Sequence, residues 1–186
     1  MSFILTLEEA ATGIKKAIAE SSSPNSTGLL DSLYEAQRTV QGATPESVRS
    51  NAQQPQLTEF HSTLMACVPY CTSPTLIRLV TSCLVQAMRC GDFTLPLKSS
   101  KSLLSSMALS SNKLPKQKES KIAITSVLGE LIRARGSELS PAQPEVVALL
   151  KKSLKPEESE LCAASLRALT ACFCGWPMQV STIGPP

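Results

Sequence analysis

The chain has 186 residues, which corresponds to about one domain. Hydrophobic residues make up 42% of it, enough for a core, and a net charge of +3 is too small to indicate nucleic-acid binding by itself. Aromatic residues make up only 4%. Because β-sandwiches and β-barrels use many aromatic and β-branched residues, this composition favours an all-α fold.

The first 54 residues are predicted to be an N-terminal helical segment with loops rich in Ser, Pro and Gln. Apolar residues at helical spacing predict helices over 7–20 and 29–41, the first starting with a capping box of Thr6 and Glu9. A proline at a first helical position, Pro45, predicts a short polar helix. The stretches 21–28 and 50–56 are predicted to be connectors.

Residues 55–175 are predicted to consist of helices, and 176–186 to be an irregular C-terminal tail. Proline starts and glycine stops divide the helical part into units near 57–90, 93–135 and 143–174. The predicted helices run from Leu57 to near Pro69, from Pro74 to Gly91, over 95–110, after Pro115 to Gly136, over 145–154, and after Pro156 to Gly175.

The prolines at 74, 115 and 156 are 41 residues apart, and each opens a helix or the turn before one. Helix pairs with a period of about 40–47 residues are typical of HEAT and armadillo arrays. The sequence therefore predicts an α-solenoid of stacked antiparallel helix pairs, with an irregular helical bundle as the alternative. The helices that follow these three prolines should lie parallel to one another. Six residues should then be buried between the stacked helix pairs: Leu79, Leu84, Ile124, Leu128, Leu161 and Leu166.

No arrangement of residues indicates catalysis, so we expect no enzyme, no catalytic residue and no cofactor. The single histidine, His61, is predicted to be a half-exposed helix residue whose only nearby acid, Glu59, points away from it. No GxSxG, GxxxxGK[ST], GxGxxG or HExxH motif occurs. Seven cysteines, none with CxxC spacing, are expected to be reduced. Cys67 and Cys71 could face His61, but a fourth ligand is missing, so no metal site is predicted.

The strongest charge feature is a run of lysines between residues 98 and 121, in which Glu119 is the only acid. An acidic protein, a phosphoinositide or RNA could bind such a patch, although RNA binding would normally add aromatic platforms, which this stretch lacks. We favour an exposed connector over 110–118, whose lysines have no paired acids. The candidate patch consists of Lys98, Lys101, Lys113, Lys116, Lys118 and Lys121.

Roughly residues 55–175 resemble the N-terminal region of the HEAT repeat-containing protein five family. The similar features are a helix ending in a Gly-Asp-x-Thr step, a helix leading to a Gly-Ser turn, and a Pro-Glu-x-Val helix followed by an acid-serine turn. The matching residues are Gly91, Asp92, Thr94, Gly136, Pro144, Glu145, Val147, Leu149, Leu150, Lys151, Leu154, Lys155, Glu158 and Ser159.

The resemblance implies a non-enzymatic scaffold for protein–protein interaction in vesicle-mediated, including retrograde, transport. The implied partner is the clathrin adaptor complex at endosomes and the trans-Golgi network, with membrane association through partners and no small-molecule substrate. A helical-repeat adaptor that binds an acidic partner or nucleic acid through the lysines is the alternative. This chain is far shorter than the family's members, and an array ending at Gly175 lacks a cap. We therefore expect an N-terminal piece, or a truncated version, of a longer array.

No apolar run approaches the ~20 residues that span a bilayer. The apolar N-terminus has no basic segment before it, so it does not match a signal peptide. From these two features we expect a soluble, cytoplasmic protein, which the resemblance would place at endosome or trans-Golgi membranes.

Overall fold

The computed structural model describes residues 3–20, 27–42, 54–90, 98–99, 101–105 and 117–176, and these are helical apart from short turns. No strand occurs within those ranges, in agreement with the predicted all-α class. The α-helices are α1 (Phe3–Glu20), α2 (Thr27–Gln41), α3 (Gln54–Cys67), α4 (Pro74–Cys90), α5 (Gln117–Leu139), α6 (Gln143–Lys152) and α7 (Ser159–Gly175). Short 3₁₀ helices at Val68–Tyr70 and Ser140–Ala142 precede α4 and α6, and residues 98–99 and 101–105 are helical.

Helices that follow one another in the chain pack as pairs, namely α1 with α2, α3 with α4, and α6 with α7. Contacts also run across these pairs, because α1 packs on α3, α2 on α4, α4 on α5, and α5 most extensively on α7. The helices α2, α4, α5 and α7 thus contact one another in that order. This row of helices positions the surface described below.

The last two helices of that row run in the same direction. Gly129 of α5 lies against Ala168 of α7, and Gly136 lies against Gly175. Each step advances seven residues along both helices, so α5 and α7 are parallel with a sequence offset of 39 residues. In the first turn of α5, the Ser120 hydroxyl donates a hydrogen bond to the Pro69 carbonyl at 2.7 Å. The start of α5 therefore lies beside the turn that precedes α4.

Several predicted helix boundaries are corrected by the structure. The capping box is wrong, because α1 begins at Phe3 and Thr6 therefore lies inside the helix. Two predicted connectors are shorter than expected, since α2 begins at Thr27 and α3 at Gln54. Pro74 is the first residue of α4, whereas Pro156 lies in the turn before α7. At the start of α4, the Ser73 hydroxyl accepts a hydrogen bond from the Leu76 amide at 3.3 Å.

Some predicted features fall outside the described residues. These are the short helix at Pro45, the glycine stop at Gly91, Pro115, the lysines Lys113 and Lys116, and the tail beyond Trp176. Of the predicted connector over 110–118, the last two residues belong to α5.

The helix breaks next to Gly136, where the sequence predicts its end. Arg135 is non-helical, with φ −140° and ψ 33°, and a further helical stretch continues from there to Leu139. A β-carbon on Gly136 would run into the carbonyl group of Gly175, so the glycine permits close approach of α5 and α7.

Five of the six residues that were expected to be buried are buried, namely Leu79, Leu84, Ile124, Leu128 and Leu161. Leu166 is the exception, with 52% of its surface exposed. The buried face of α7 contains Leu161, Ala164 and Ala168, and Leu166 lies two positions from Ala164, on the opposite side of the helix. Because α7 is apolar on several sides, its sequence does not show which side meets the core.

Candidate functional site

The predicted lysine patch is placed only in part. Lys98, Lys101 and Lys118 are exposed and Lys121 is half-buried. Lys118 lies 3.3 Å from a carboxylate oxygen of Glu160 on α7, so the expectation that the lysines lack paired acids is wrong for this residue. Both side chains of that pair are more than half exposed, and such a surface pair contributes little to stability.

A concave surface on the described residues is a groove lined by α4, α5 and α7, with a volume of about 580 Å³. Binding clefts generally have volumes of about 300–1,000 Å³. We call this surface the three-helix groove. Its lining residues are Thr72, Pro74, Ile77, Arg78, Thr81, Ser82, Ile122, Thr125, Ser126, Gly129, Glu130, Arg133, Ala164, Arg167 and Ala168.

Small residues at the contact of α5 and α7 shape the floor of the groove. A β-carbon on Gly129 would lie 3.0 Å from the α-carbon of Ala168, so the two helix backbones approach closely there. Ala164 and Ala168 add little volume, and the α4 side contributes Ile77. The floor is therefore mostly apolar, and the side chains that line it are too short to fill it.

The rim of the three-helix groove is basic. Each of its three helices contributes one exposed arginine, namely Arg78, Arg133 and Arg167. The single acid on the rim, Glu130, accepts a hydrogen bond from Arg133 at 2.7 Å. Within the part of the chain that the structure describes, Arg78 and Arg167 form no ion pair, so the rim has two uncompensated positive charges above an apolar floor.

In the sequence these arginines are single cations on separate helices. Arg78 and Arg167 are 89 positions apart. Nothing in their spacing brings them together, because their proximity depends on α5 lying between α4 and α7. The signal is tertiary, and only the order of the helices in the row reveals it.

His61 is buried, with 4% of its surface exposed, which corrects the prediction of a half-exposed side chain. It lies on the same face of α3 as Leu57 and Leu64, both of which are buried. Its Nε2 lies 2.5 Å from the hydroxyl oxygen of Ser99, which is fully buried. Burial, and then the nearby charge of Lys98, lower the pKa of His61 to about 4, so its ring is neutral near pH 7.

The histidine–serine pair has the atom types of a nucleophile and its base, but it has no access to a substrate in this structure. Glu59, the nearest acid in sequence, instead bonds Lys15 of α1 at 2.6 Å. The His61–Ser99 bond therefore satisfies two buried polar groups, joining α3 to the helical residues near Ser99.

The cysteines are free thiols, and most of them are buried. The sulfur atoms of Cys67 and Cys71 are 3.6 Å apart. Burial raises the pKa of Cys83 to about 12 and that of Cys172 to about 11. A search of the described residues finds no group of three or more His, Cys, Asp or Glu side chains that could hold a metal ion.

No helix among the described residues is both long enough and apolar enough to cross a bilayer. The chain matches no protein-family model, no characterised protein and no solved structure. The resemblance to the HEAT repeat-containing protein five family therefore stays a prediction.

Proposed function

We propose that this chain is a non-enzymatic scaffold of the α-solenoid type, which binds a segment of a partner protein in the three-helix groove. The observation that carries the proposal is the groove's combination of an apolar floor and a rim with two uncompensated arginines. Such a surface suits an amphipathic segment whose apolar side chains enter the groove and whose acidic residues meet the rim.

The solenoid arrangement is supported by the order of the helix contacts. Three pairs of successive helices form, and one helix of each, α2, α4 and α7, joins a row that also contains α5. The parallel contact of α5 and α7, with its offset of 39 residues, is what stacked units of about 40 residues would produce. Row helices of such an array line a continuous surface, which is where solenoids bind their partners.

The occupant is better described as an acidic peptide segment than as a small molecule. The three arginines stand on three different helices and are exposed, so a ligand that meets all of them must extend across the groove. Small-molecule sites instead enclose most of the ligand and present a few convergent polar groups.

Two synthetic peptides test this function. One is an amphipathic helix with leucines at i, i+3, i+4 and i+7 and glutamates elsewhere, and the other has lysines in place of the glutamates. We expect saturable binding of the acidic peptide by fluorescence anisotropy, and no binding of the basic one. Arg78→Glu and Arg167→Glu should each weaken binding by about tenfold. Arg38→Glu, an exposed α2 position outside the groove, should leave it unchanged.

A place in vesicle-mediated transport, at endosomes or the trans-Golgi network, is the biological setting that we propose from the sequence resemblance. Co-sedimentation with a purified clathrin adaptor complex tests it, with the double variant of Arg78 and Arg167 as the control for groove binding. If adaptor binding persists in that variant, but is lost when Lys98, Lys101 and Lys118 are changed to serine, the lysine-dependent alternative is favoured.

A further inference from the structure

A second, smaller recess lies where α5, the end of α6 and the start of α7 meet. Its volume is about 120 Å³, well below the roughly 300–1,000 Å³ of pockets that enclose whole ligands. We call it the basic recess. It is lined by Lys121, Thr125, Lys152, Ser153, Lys155, Glu158 and Leu161.

The recess is strongly positive for its size. Three lysines line it, namely Lys121 from α5, Lys152 from the end of α6 and Lys155 from the turn that follows. Glu158 is its only acid, and among the described residues none of these four side chains forms an ion pair within 4 Å. Two positive charges are therefore left without a counterion at a site that has room for one small group.

Thr125 adds an independent observation at the recess. Its side chain is fully buried, yet among the described residues its hydroxyl has no hydrogen-bond partner. Buried hydroxyl groups are nearly always paired, because an unpaired one is costly. The other hydroxyl of the recess, on Ser153, already donates to the Leu149 carbonyl at 3.2 Å. Thr125 is thus the neutral donor that remains available.

The backbone around the recess also suits an anion. Helix α7 begins at Ser159, and its N-cap residue, Glu158, makes no side-chain capping bond. The positive end of this helix therefore lies at the recess wall. At the end of α6, the Leu150 and Lys151 carbonyls accept bonds from the Ser153 and Leu154 amides, so those acceptors are already occupied.

We propose that the basic recess binds the phosphate group of a phosphorylated serine or threonine. A phosphate monoester is a dianion with three acceptor oxygens above pH ~6, which matches a site that offers ammonium and hydroxyl donors. Thr125 lines both the basic recess and the three-helix groove, so the two lie next to each other. A peptide in the groove can therefore place a phosphorylated side chain in the recess. This choice of carrier, a protein side chain, rests on the proposed function.

The test titrates isotope-labelled protein with N-acetyl-O-phosphoserine amide, followed by amide chemical shifts at constant ionic strength. Inorganic phosphate and unphosphorylated N-acetylserine amide are titrated in parallel. We expect saturable shifts at Thr125, Ser153 and Leu161 with the phosphoserine probe, weaker binding of inorganic phosphate, and none of the unphosphorylated compound. This arm needs no groove peptide, so it succeeds or fails independently of the proposed function.

Variants locate the binding. Lys152→Gln and Lys155→Gln should each weaken the phosphoserine probe by about tenfold, since each removes a charged hydrogen bond. Lys151→Gln, a neighbouring exposed lysine outside the recess, should change nothing. Thr125→Val keeps the shape of the side chain but loses its hydroxyl, so it should weaken the probe without lowering the thermal unfolding midpoint.

Three results would overturn the proposal. The first is the absence of saturable shifts, or shifts that Lys151→Gln reduces as much as Lys152→Gln. The second is binding of inorganic phosphate as tight as that of the phosphoserine probe, which would make the ligand a free anion. The third is binding to vesicles containing a phosphoinositide, lost in Lys152→Gln, without any binding of the phosphoserine probe.

Discussion

Gly136 of α5 lies directly against Gly175 of α7, and neither position has room for a β-carbon. On Gly136 a β-carbon would collide with the Gly175 carbonyl group, and on Gly175 it would lie 2.6 Å from the Ile132 carbonyl oxygen. Backbone meets backbone here, which holds the two parallel helices closer than side chains would allow. This contact and the one at Gly129 fix the register of α5 and α7, and with it the floor of the three-helix groove.

Alanine at these glycines is expected to destabilise the protein. Gly129→Ala and Gly136→Ala should each lower the free energy of unfolding by about 1–3 kcal/mol, because the added methyl group has to push α7 away. Urea denaturation followed by circular dichroism measures the change.

Gly13→Ala is the matched control for these glycine variants. Gly13 lies inside α1, and a β-carbon there would meet only the Ser32 side chain at an ordinary 3.6 Å. That variant should gain about 0.5–1 kcal/mol from helix propensity. If all three variants gain stability, α5 and α7 are not in close backbone contact.

Alanine substitution of two leucines should distinguish a buried helix face from an exposed one. Leu128→Ala removes a fully buried side chain and should cost about 2–5 kcal/mol of unfolding free energy. Leu166→Ala, at a half-exposed position, should cost about 0.5 kcal/mol or less. Equal losses in the two variants would mean that Leu166 is packed, as the sequence alone suggested.

The difference between these two leucines shows what the sequence could predict. The all-α class, most helix spans and the buried faces of α1, α2 and α4 follow from apolar residues at helical spacing and from Pro and Gly punctuation. The face of α7 could not be predicted, because Leu161, Leu166 and Phe173 give it apolar residues on several sides. Which side is buried depends on where α5 lies.

The candidate site was less predictable than the fold. The lysine run was visible because its residues are close in sequence. One of them, Lys118 of α5, nevertheless pairs with Glu160 of α7. The arginines of the groove come from three different helices, and the basic recess joins a lysine of α5 to lysines at and after the end of α6. Residues that meet only through tertiary packing leave no spacing pattern to detect.

His61 should make stability depend on pH. Its pKa is about 4 in the folded protein against 6.5 when unfolded, so between these values the unfolded state binds more protons. Above pH 6.5 His61 does not reduce the free energy of unfolding. As the pH drops from 6.5 to 4, protonation of His61 in the unfolded state lowers that free energy by up to about 3 kcal/mol. Urea titrations at pH 7 and pH 4 measure this loss.

The control for this pH dependence is His61→Gln, which keeps a polar side chain at the position but removes the titrating ring. The variant should lose less stability than the wild type between pH 7 and pH 4. An NMR titration in which the His61 ring shows a pKa between 6 and 7 would contradict its burial.

The cysteines should react very unequally. The thiolate is the form of cysteine that reacts with alkylating agents. Cys83, with a pKa of about 12, and Cys172, with a pKa of about 11, carry little thiolate at pH 8 and are also buried, so both should be alkylated slowly. Cys174 is exposed and should be alkylated first by iodoacetamide, as read by peptide mass spectrometry. In urea all seven should react. Modification of native Cys83 as fast as Cys174 would place it at the surface.

We propose that the charges on the rim of the three-helix groove select an acidic partner segment, and exchanging those charges is the most direct test. The measurement is the affinity of the double variant Arg78→Glu, Arg167→Glu for the acidic and basic amphipathic peptides, by fluorescence anisotropy. We expect the preference to reverse, so that the variant binds the lysine peptide and loses the glutamate peptide. Unchanged binding of the glutamate peptide by a folded double variant would show that the rim charges do not select the partner.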